Sequence, residues 1–191
     1  MRCLTCERFS LSHICRRCRE SLLSPQLHQR KILGHIPVYS FFPYDEIEPL
    51  LLTKHTHIGH YVYSILADQA FRPFSKSWEY AQPVVSLGID DDPKSGYSHT
   101  AVLNRALKSS LITPLYGRLR AQNAHKYAGK SVAERLMNPR GFRYAPFEAD
   151  EVILVDDIVT TGTTLSEAAE TLHAHGKKVI LCLTLADAER K

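Results

Sequence analysis

Two groups of residues in this 191-residue chain combine chemically capable side chains with tight spacing. The first lies at the N-terminus, where Cys3, Cys6, Cys15 and Cys18 form two Cys-x2-Cys pairs eight residues apart. Thiolates arranged in two such pairs can close a tetrahedron around Zn²⁺, each short turn aiming two sulfurs at one ion. Four sulfurs leave no open coordination position, so the expected role is structural. His13 lies between the pairs as a spare ligand that four sulfurs make unnecessary. The fifth cysteine, Cys182, sits alone in an apolar run and reads as an inert buried thiol.

The second group is Val155-Asp156-Asp157-Ile158-Val159-Thr160-Thr161-Gly162-Thr163-Thr164. It follows an apolar run and precedes an amphipathic one, which places it at the carboxyl end of a strand, where open α/β sheets bind ligands. Backbone N–H groups at the start of a helix form an anion site, and the helix dipole adds to it. Gly162 allows close approach, and the threonine hydroxyls offer further donors. This equipment suits a phosphate monoester. Asp156 and Asp157 carry the wrong sign for phosphate; they suit ribose hydroxyls, or a Mg²⁺ that bridges to other phosphate oxygens. A plain helix cap would explain Asp157 or Thr160 alone, but not two adjacent acids followed by Thr-Thr-Gly-Thr-Thr.

The elements that must position this segment can be read from periodicity. Val152 to Val155 is a continuous apolar run, as in a strand buried on both faces. Leu165, Ala168, Ala169 and Leu172 repeat at i, i+3, i+4 and i+7, the stripe of a helix that packs on a sheet. Gly176 closes that helix as a C′ glycine, and Val179 to Leu185 forms the next strand. Strand, helix and strand make a βαβ unit and hence an at least partly parallel sheet. Upstream, strands are expected at 36–42, 84–89 and 111–115, and helices at 47–53, 59–71, 97–110 and 131–138. The last of these opens on the capping box Ser131-x-x-Glu134.

Composition is ordinary for a folded domain, with 44% hydrophobic and 23% charged residues. No apolar run approaches the roughly 18 residues needed to span a bilayer, and the N-terminus has no signal-peptide core, so a cytoplasmic protein is expected. The net charge of +4 is unevenly spread: +5 over residues 1–40, −5 over 41–93, +9 over 94–143 and −5 over 144–191. Basic blocks flanking an acidic one point to an anionic partner. In the third block Arg105, Lys108, Arg118, Arg120, Lys126 and Lys130 are interleaved with Tyr116, Tyr127, Phe142 and Tyr144. That pattern fits cations tracking a nucleic-acid backbone with aromatics stacking on bases, or equally a basic surface whose aromatics belong to the core. His55, His57 and His60 read as exposed histidines at a helix entrance rather than as metal ligands. Residues 1–30 are expected to form a metal-folded module and 31–191 the α/β domain, since some twenty residues cannot bury enough apolar surface to fold alone.

Val152-Ile153-Leu154-Val155-Asp156-Asp157-Ile158-Val159-Thr160-Thr161-Gly162 resembles the 5-phosphoribosyl-1-pyrophosphate (PRPP) signature of type I phosphoribosyltransferases. With the four-cysteine knuckle, the chain resembles the ComF family of competence-associated proteins nearly end to end. Lys54 resembles the family's Leu-Lys segment near the pyrophosphate pocket, Ser131, Glu134, Arg135 and Asn138 its Ser-x-x-Glu-Arg-x-x-Asn stretch, and Thr184-Leu185-Ala186 its C-terminal strand. Where the family carries Arg-Gly-Phe-Asn-Gln-Ala, this chain has Ser95-Gly96-Tyr97-Ser98-His99-Thr100, with Lys94 as a cation that lacks guanidinium geometry. The resemblance implies a type I phosphoribosyltransferase-like fold and a structural Zn²⁺. It also implies PRPP bound with Mg²⁺ by residues 156–164, with Lys54, Asp156 and Asp157 nearest the chemistry. The implied role is in natural transformation, handling single-stranded DNA beside an uptake helicase at the inner face of the cytoplasmic membrane. Two alternatives stand beside it: an active phosphoribosyltransferase of nucleotide salvage, and a non-catalytic, zinc-dependent adaptor of the uptake machinery.

Overall fold

A computed structural model of the protein describes residues 1–89, 96–122 and 141–189. The strands are β1 (His28–Ile32), β2 (Ile36–Pro43), β3 (Val84–Gly88), β4 (Ile112–Leu115), β5 (Leu119–Ala121), β6 (Phe142–Tyr144), β7 (Glu151–Val159) and β8 (Lys178–Asp187). The helices are α1 (Arg16–Leu22), α2 (Tyr44–Leu51), α3 (Gly59–Gln69), α4 (Phe71–Ser77), α5 (His99–Ala106) and α6 (Thr163–Ala174). Six strands form one sheet in the order β1-β2-β8-β7-β3-β4, parallel except for the antiparallel β1–β2 edge. β5 and β6 form a separate antiparallel ribbon.

The sheet is covered on both faces, and the central strand shows how. Ile153 and Val155 of β7 join a cluster with Leu51, Leu66 and Leu103, while Val152 and Leu154 join one with Leu165, Ala168 and Leu172. Side chains that alternate into two buried clusters explain why this strand reads as an unbroken apolar run. The expected α6 stripe is the buried face of that helix. Gly176 (φ +74°) closes α6 as foreseen: its N–H donates to the His173 carbonyl and that of Lys177 to the Leu172 carbonyl, a Schellman pair.

Several boundaries differ from the periodic reading. β7 runs on through both acids to Val159, because β8 continues to pair with it as far as Val159 and Asp187. The turn therefore begins at Thr160. The helix expected over 59–71 stops at Gln69; Ala70 (φ −110°, ψ −61°) departs from helical geometry and α4 restarts at Phe71, with Pro73 tolerated in its first turn. The helix expected over 47–53 starts earlier, at Tyr44, and gives way after Leu51 to a 3₁₀ turn, Leu52–His55, which carries Lys54. α5 is shorter than expected, starting after Ser98, whose hydroxyl accepts from the Ala101 N–H at 3.1 Å. The helix expected over 131–138 lies outside the described residues, as do the loop acids 90–92.

The cysteine segment packs onto the α/β body, with Cys3, Ile14, Cys18 and Leu23 in the same buried cluster as Phe41 and Tyr63. β1 spans the expected boundary at residue 30 and adds the edge strand to the sheet. Among the described residues no helix is long and apolar enough to cross a membrane.

Candidate functional site

The turn from β7 to α6 is built around Gly162. Its φ of +79° lies in the left-handed region, and a Cβ there would come within 2.6 Å of Ile32 Cγ2 on β1. Only glycine meets both demands. Gly162 stands at the N-cap of α6 without a capping side chain of its own, and the Thr163 N–H reaches the Thr161 hydroxyl at 3.5 Å. Thr161 and Thr163 place their hydroxyls 2.9 Å apart at its rim. Arg30, on the edge strand, braces the turn from outside: its guanidinium donates to the Thr160 carbonyl and pairs with Asp187 (3.4 Å) and Glu189 (2.7 Å). Asp187 is fully buried, so its carboxylate needs such a cation.

Strand alternation separates the two acids. Asp156 follows Leu154 and is half-buried; Asp157 follows Val155 into the face covered by α3 and α5 and is buried. Asp156 Oδ1 accepts the Asp157 N–H at 2.8 Å, which fixes the carboxylate against its own strand. Asp157 Oδ2 meets three groups: Lys54 Nζ at 2.9 Å, the Tyr63 hydroxyl at 3.2 Å and His99 Nε2 at 3.4 Å. Burial alone would raise this carboxyl, but the charges of His99 and Lys54 and the bonds from Lys54 and Tyr63 outweigh it and hold it well below the usual carboxylate range. Conversely, burial and the Asp157 charge push the Tyr63 hydroxyl far up, and that of Tyr97 to about 12. Tyr97 donates to the Lys54 carbonyl at 2.9 Å, so the turn bearing Lys54 is pinned at both its backbone and its ammonium.

Of the residues expected at the site, Lys54, Asp156, Asp157, Thr160, Thr161, Gly162, Thr163 and Thr164 thus gather at the carboxyl end of β7. Ile158 and Val159 continue the strand, with side chains packed against the two clusters. His55, His57 and His60 are exposed, and His60 meets Tyr61 and Tyr97 edge-on at 5.6 Å each. Lys94, Ser95, Ser131, Glu134, Arg135 and Asn138 lie outside the described residues.

The four N-terminal cysteines converge. Their sulfurs all lie within 4.8 Å of one another, with Cys6 and Cys15 at 3.7 Å. Sulfurs at about 2.3 Å from a tetrahedral zinc stand about 3.8 Å apart, so the donor set fits that ion. The Cys15 N–H donates to Cys3 Sγ at 3.3 Å. Burial opposes ionisation of Cys3, yet the amides of Cys15, Cys6 and Thr5 bring its thiol down to about 6, while burial and the other three sulfurs push that of Cys18 up to about 12. His13, the spare ligand, instead stacks on Tyr61 of α3 at 4.9 Å. Cys182 is buried in the sheet, and burial together with the Asp156 charge pushes its thiol well up, as an inert thiol requires.

The basic block divides. Arg105 and Lys108 are exposed around the end of α5. Arg118 donates to the Pro146 carbonyl at 3.0 Å, tying the ribbon to the chain after it, while Arg120 is exposed on β5. Lys126 and Lys130 lie outside the described residues, as does Tyr127. Phe142 and Tyr144 pack against the second cluster, and Tyr144 also stacks on His175 at 4.1 Å. Those two aromatics pack as the core reading expects.

A family model described as phosphoribosyl transferase domain matches residues 143–191, the stretch from β6 through β8 that contains the whole Asp156–Thr164 turn. The fold is type I phosphoribosyltransferase-like. No curated protein matches the chain. Among solved structures, a hypoxanthine phosphoribosyltransferase from Staphylococcus aureus aligns at 16% identity and a TM-score of 0.42, over 68% of this chain and 65% of that one. An orotate phosphoribosyltransferase from Aeropyrum pernix aligns at 16% identity and 0.43, over 90% and 80%. An adenine phosphoribosyltransferase aligns at 17% and 0.41, over 89% and 88%.

Around this phosphoribosyltransferase-like turn, Arg30 and Tyr63 escaped sequence reasoning, while Tyr97 and His99 entered it only as members of the 95–100 segment, with no role toward Lys54 or Asp157. Each acts across a long stretch of chain, so local periodicity carried no sign of it. One signal was present. Asp187 ends an apolar strand, and an acid in that position calls for a cation from elsewhere.

Proposed function

We propose that the protein binds PRPP with Mg²⁺ and, as a ComF-type protein, handles single-stranded DNA during natural transformation. The observation that carries the PRPP reading is the glycine-started N-terminus of α6 directly after two acids, inside the matched phosphoribosyl transferase segment. In this reading the amides and hydroxyls of residues 161–164 hold the 5′-phosphate. Asp156, the less buried acid, addresses the ribose hydroxyls. It is also a hard oxygen donor of the kind that suits a Mg²⁺ arriving with pyrophosphate, whose charge the ion would offset. Asp157 holds Lys54 beside them, so that its ammonium stands at the pyrophosphate end. The four cysteines hold Zn²⁺ and keep the N-terminal segment on the domain.

Calorimetric titration with PRPP and Mg²⁺ tests the first part, with Asp156→Asn as the comparison. Heat of binding is expected for the wild type and is expected to fall sharply for the variant. No heat at any Mg²⁺ concentration sinks the PRPP reading. For the second part, the same substitution is introduced on the chromosome and transformation is scored. Normal transformation with a folded Asp156→Asn protein replaces this reading with that of a non-catalytic adaptor.

A further inference from the structure

The β5–β6 ribbon has two faces of opposite character. On one, Leu119 pairs with Tyr144 and Ala121 with Phe142, and Leu119, Phe142 and Tyr144 join the second buried cluster. On the other, Arg120 of β5 stands directly opposite Arg143 of β6, and both are exposed. Like charges placed opposite each other on a two-stranded ribbon destabilise it. Among the described residues neither arginine has an ion pair, and 117–122 with 141–149 contain a single acid, Glu148, against three arginines. The Arg120 guanidinium lies over the turn at Gly117, where a Cβ would meet its Nη2 at 3.3 Å. Next to that turn is Tyr116, which is 50% exposed.

We propose that Arg120 and Arg143 form a two-armed clamp for the phosphodiester backbone of single-stranded DNA. The Tyr144–His175 stack and the packing of Leu119 and Phe142 in the second cluster hold the ribbon against the body, which leaves the opposite face, with both guanidiniums, outward. A phosphate between them offsets the repulsion that the ribbon otherwise carries, and planar guanidiniums match phosphate geometry. Contacts of this kind read no sequence, so the clamp tolerates any base. The inference rests on the DNA-handling reading above and names its site.

The test is binding of a fluorescein-labelled oligothymidylate to the full chain, titrated at several salt concentrations. Each phosphate contact on a single strand contributes about 0.7 to the slope of log affinity against log salt. Arg120→Gln with Arg143→Gln should lower that slope by about 1.4 and weaken binding about tenfold at low salt. The single substitution Arg143→Glu separates binding from folding. It puts an acid opposite Arg120, so it should keep or raise the melting temperature while weakening DNA binding further than Arg143→Gln. PRPP binding should be unchanged in every variant. A wild-type chain that does not bind the oligonucleotide overturns both this clamp and the DNA-handling reading. A wild type that binds, with variants of unaltered slope and affinity, overturns the clamp alone.

Discussion

Asp157→Asn separates anchoring from ligand contact. The wild-type carboxylate is the counter-charge for Lys54, accepts from Tyr63 and lies 3.4 Å from His99 Nε2, all through Oδ2. Asparagine keeps the shape and one acceptor oxygen but removes the charge. Breaking a buried ion pair by deleting one partner costs about 3–5 kcal/mol. Here the Lys54 side chain stays 26% exposed against 8% for Asp157, so its ammonium can recover some water, and about 2–3 kcal/mol is the expected loss. For a chain of this length that lowers the melting temperature by about 4–12 °C. The pH dependence follows from the direction of the shift. A carboxyl held below its usual range stabilises the fold above the unfolded-state pKa of about 4, and that contribution fades as pH falls toward the depressed value. The gap between wild type and Asp157→Asn should therefore be full at pH 7 and narrow below about pH 4. Asp156→Asn, at a half-buried position, should melt within about 0.5 kcal/mol of wild type yet lack the rise in melting temperature that PRPP and Mg²⁺ are expected to give the wild type. Differential scanning fluorimetry, with and without ligand, reads all of these. If Asp157→Asn melts with the wild type at pH 7, the assignment of Asp157 as the anchor of Lys54 is refuted.

Three further outcomes are expected. Arg30→Ala should weaken PRPP about tenfold in calorimetry by freeing the Thr160 carbonyl and leaving Asp187 buried without its guanidinium, and Arg30→Lys should not restore it; normal affinity in either would end the bracing role. Gly162→Ala places a Cβ where φ is +79° and Ile32 is 2.6 Å away; a cost of about 2–3 kcal/mol in denaturant melts is expected, with Ile32→Ala relieving only the steric part. Elemental analysis should find one zinc per chain, and Cys6→Ser or a strong chelator should remove it and lower the melting temperature, since Ile14 and Leu23 share the main buried cluster. Full-strength melting after complete zinc loss would contradict the packed arrangement.

The part of the fold legible in advance was the part governed by local rules. β7, α6 and β8 follow from an apolar run, a 3.6-residue stripe and a C′ glycine, each a property of a few neighbouring residues. The four cysteines announced their convergence by spacing alone. β1, by contrast, reads His-Gln-Arg-Lys-Ile, too polar to resemble a strand, because an edge strand next to solvent needs no apolar pattern and is blunted by charge. β5 and β6 have three residues each, and their pairing joins positions 119–121 with 142–144, a distance over which no turn signal operates. The break between α3 and α4 was hidden because Leu66, Ala67, Ala70, Phe71 and Phe74 keep helical spacing across it.

The site shows the same division more sharply. The loop's chemistry was visible because amides, glycine and threonines are contiguous. The division of labour between the two acids was not, although the rule that sets it is simple. Extending β7 through Asp156 and Asp157 imposes a period of two on them, and the two faces of this sheet differ in cover. One acid follows Leu154 and retains access to solvent; the next follows Val155 beneath α3 and α5, where only paired charge is tolerated. Adjacent acids on a loop could share one ligand, but adjacent acids on a strand cannot point the same way. The pair in this chain is therefore one solvent-accessible acid and one buried anchor, and Lys54 and His99, which meet the anchor, come from segments 103 and 58 residues away in sequence.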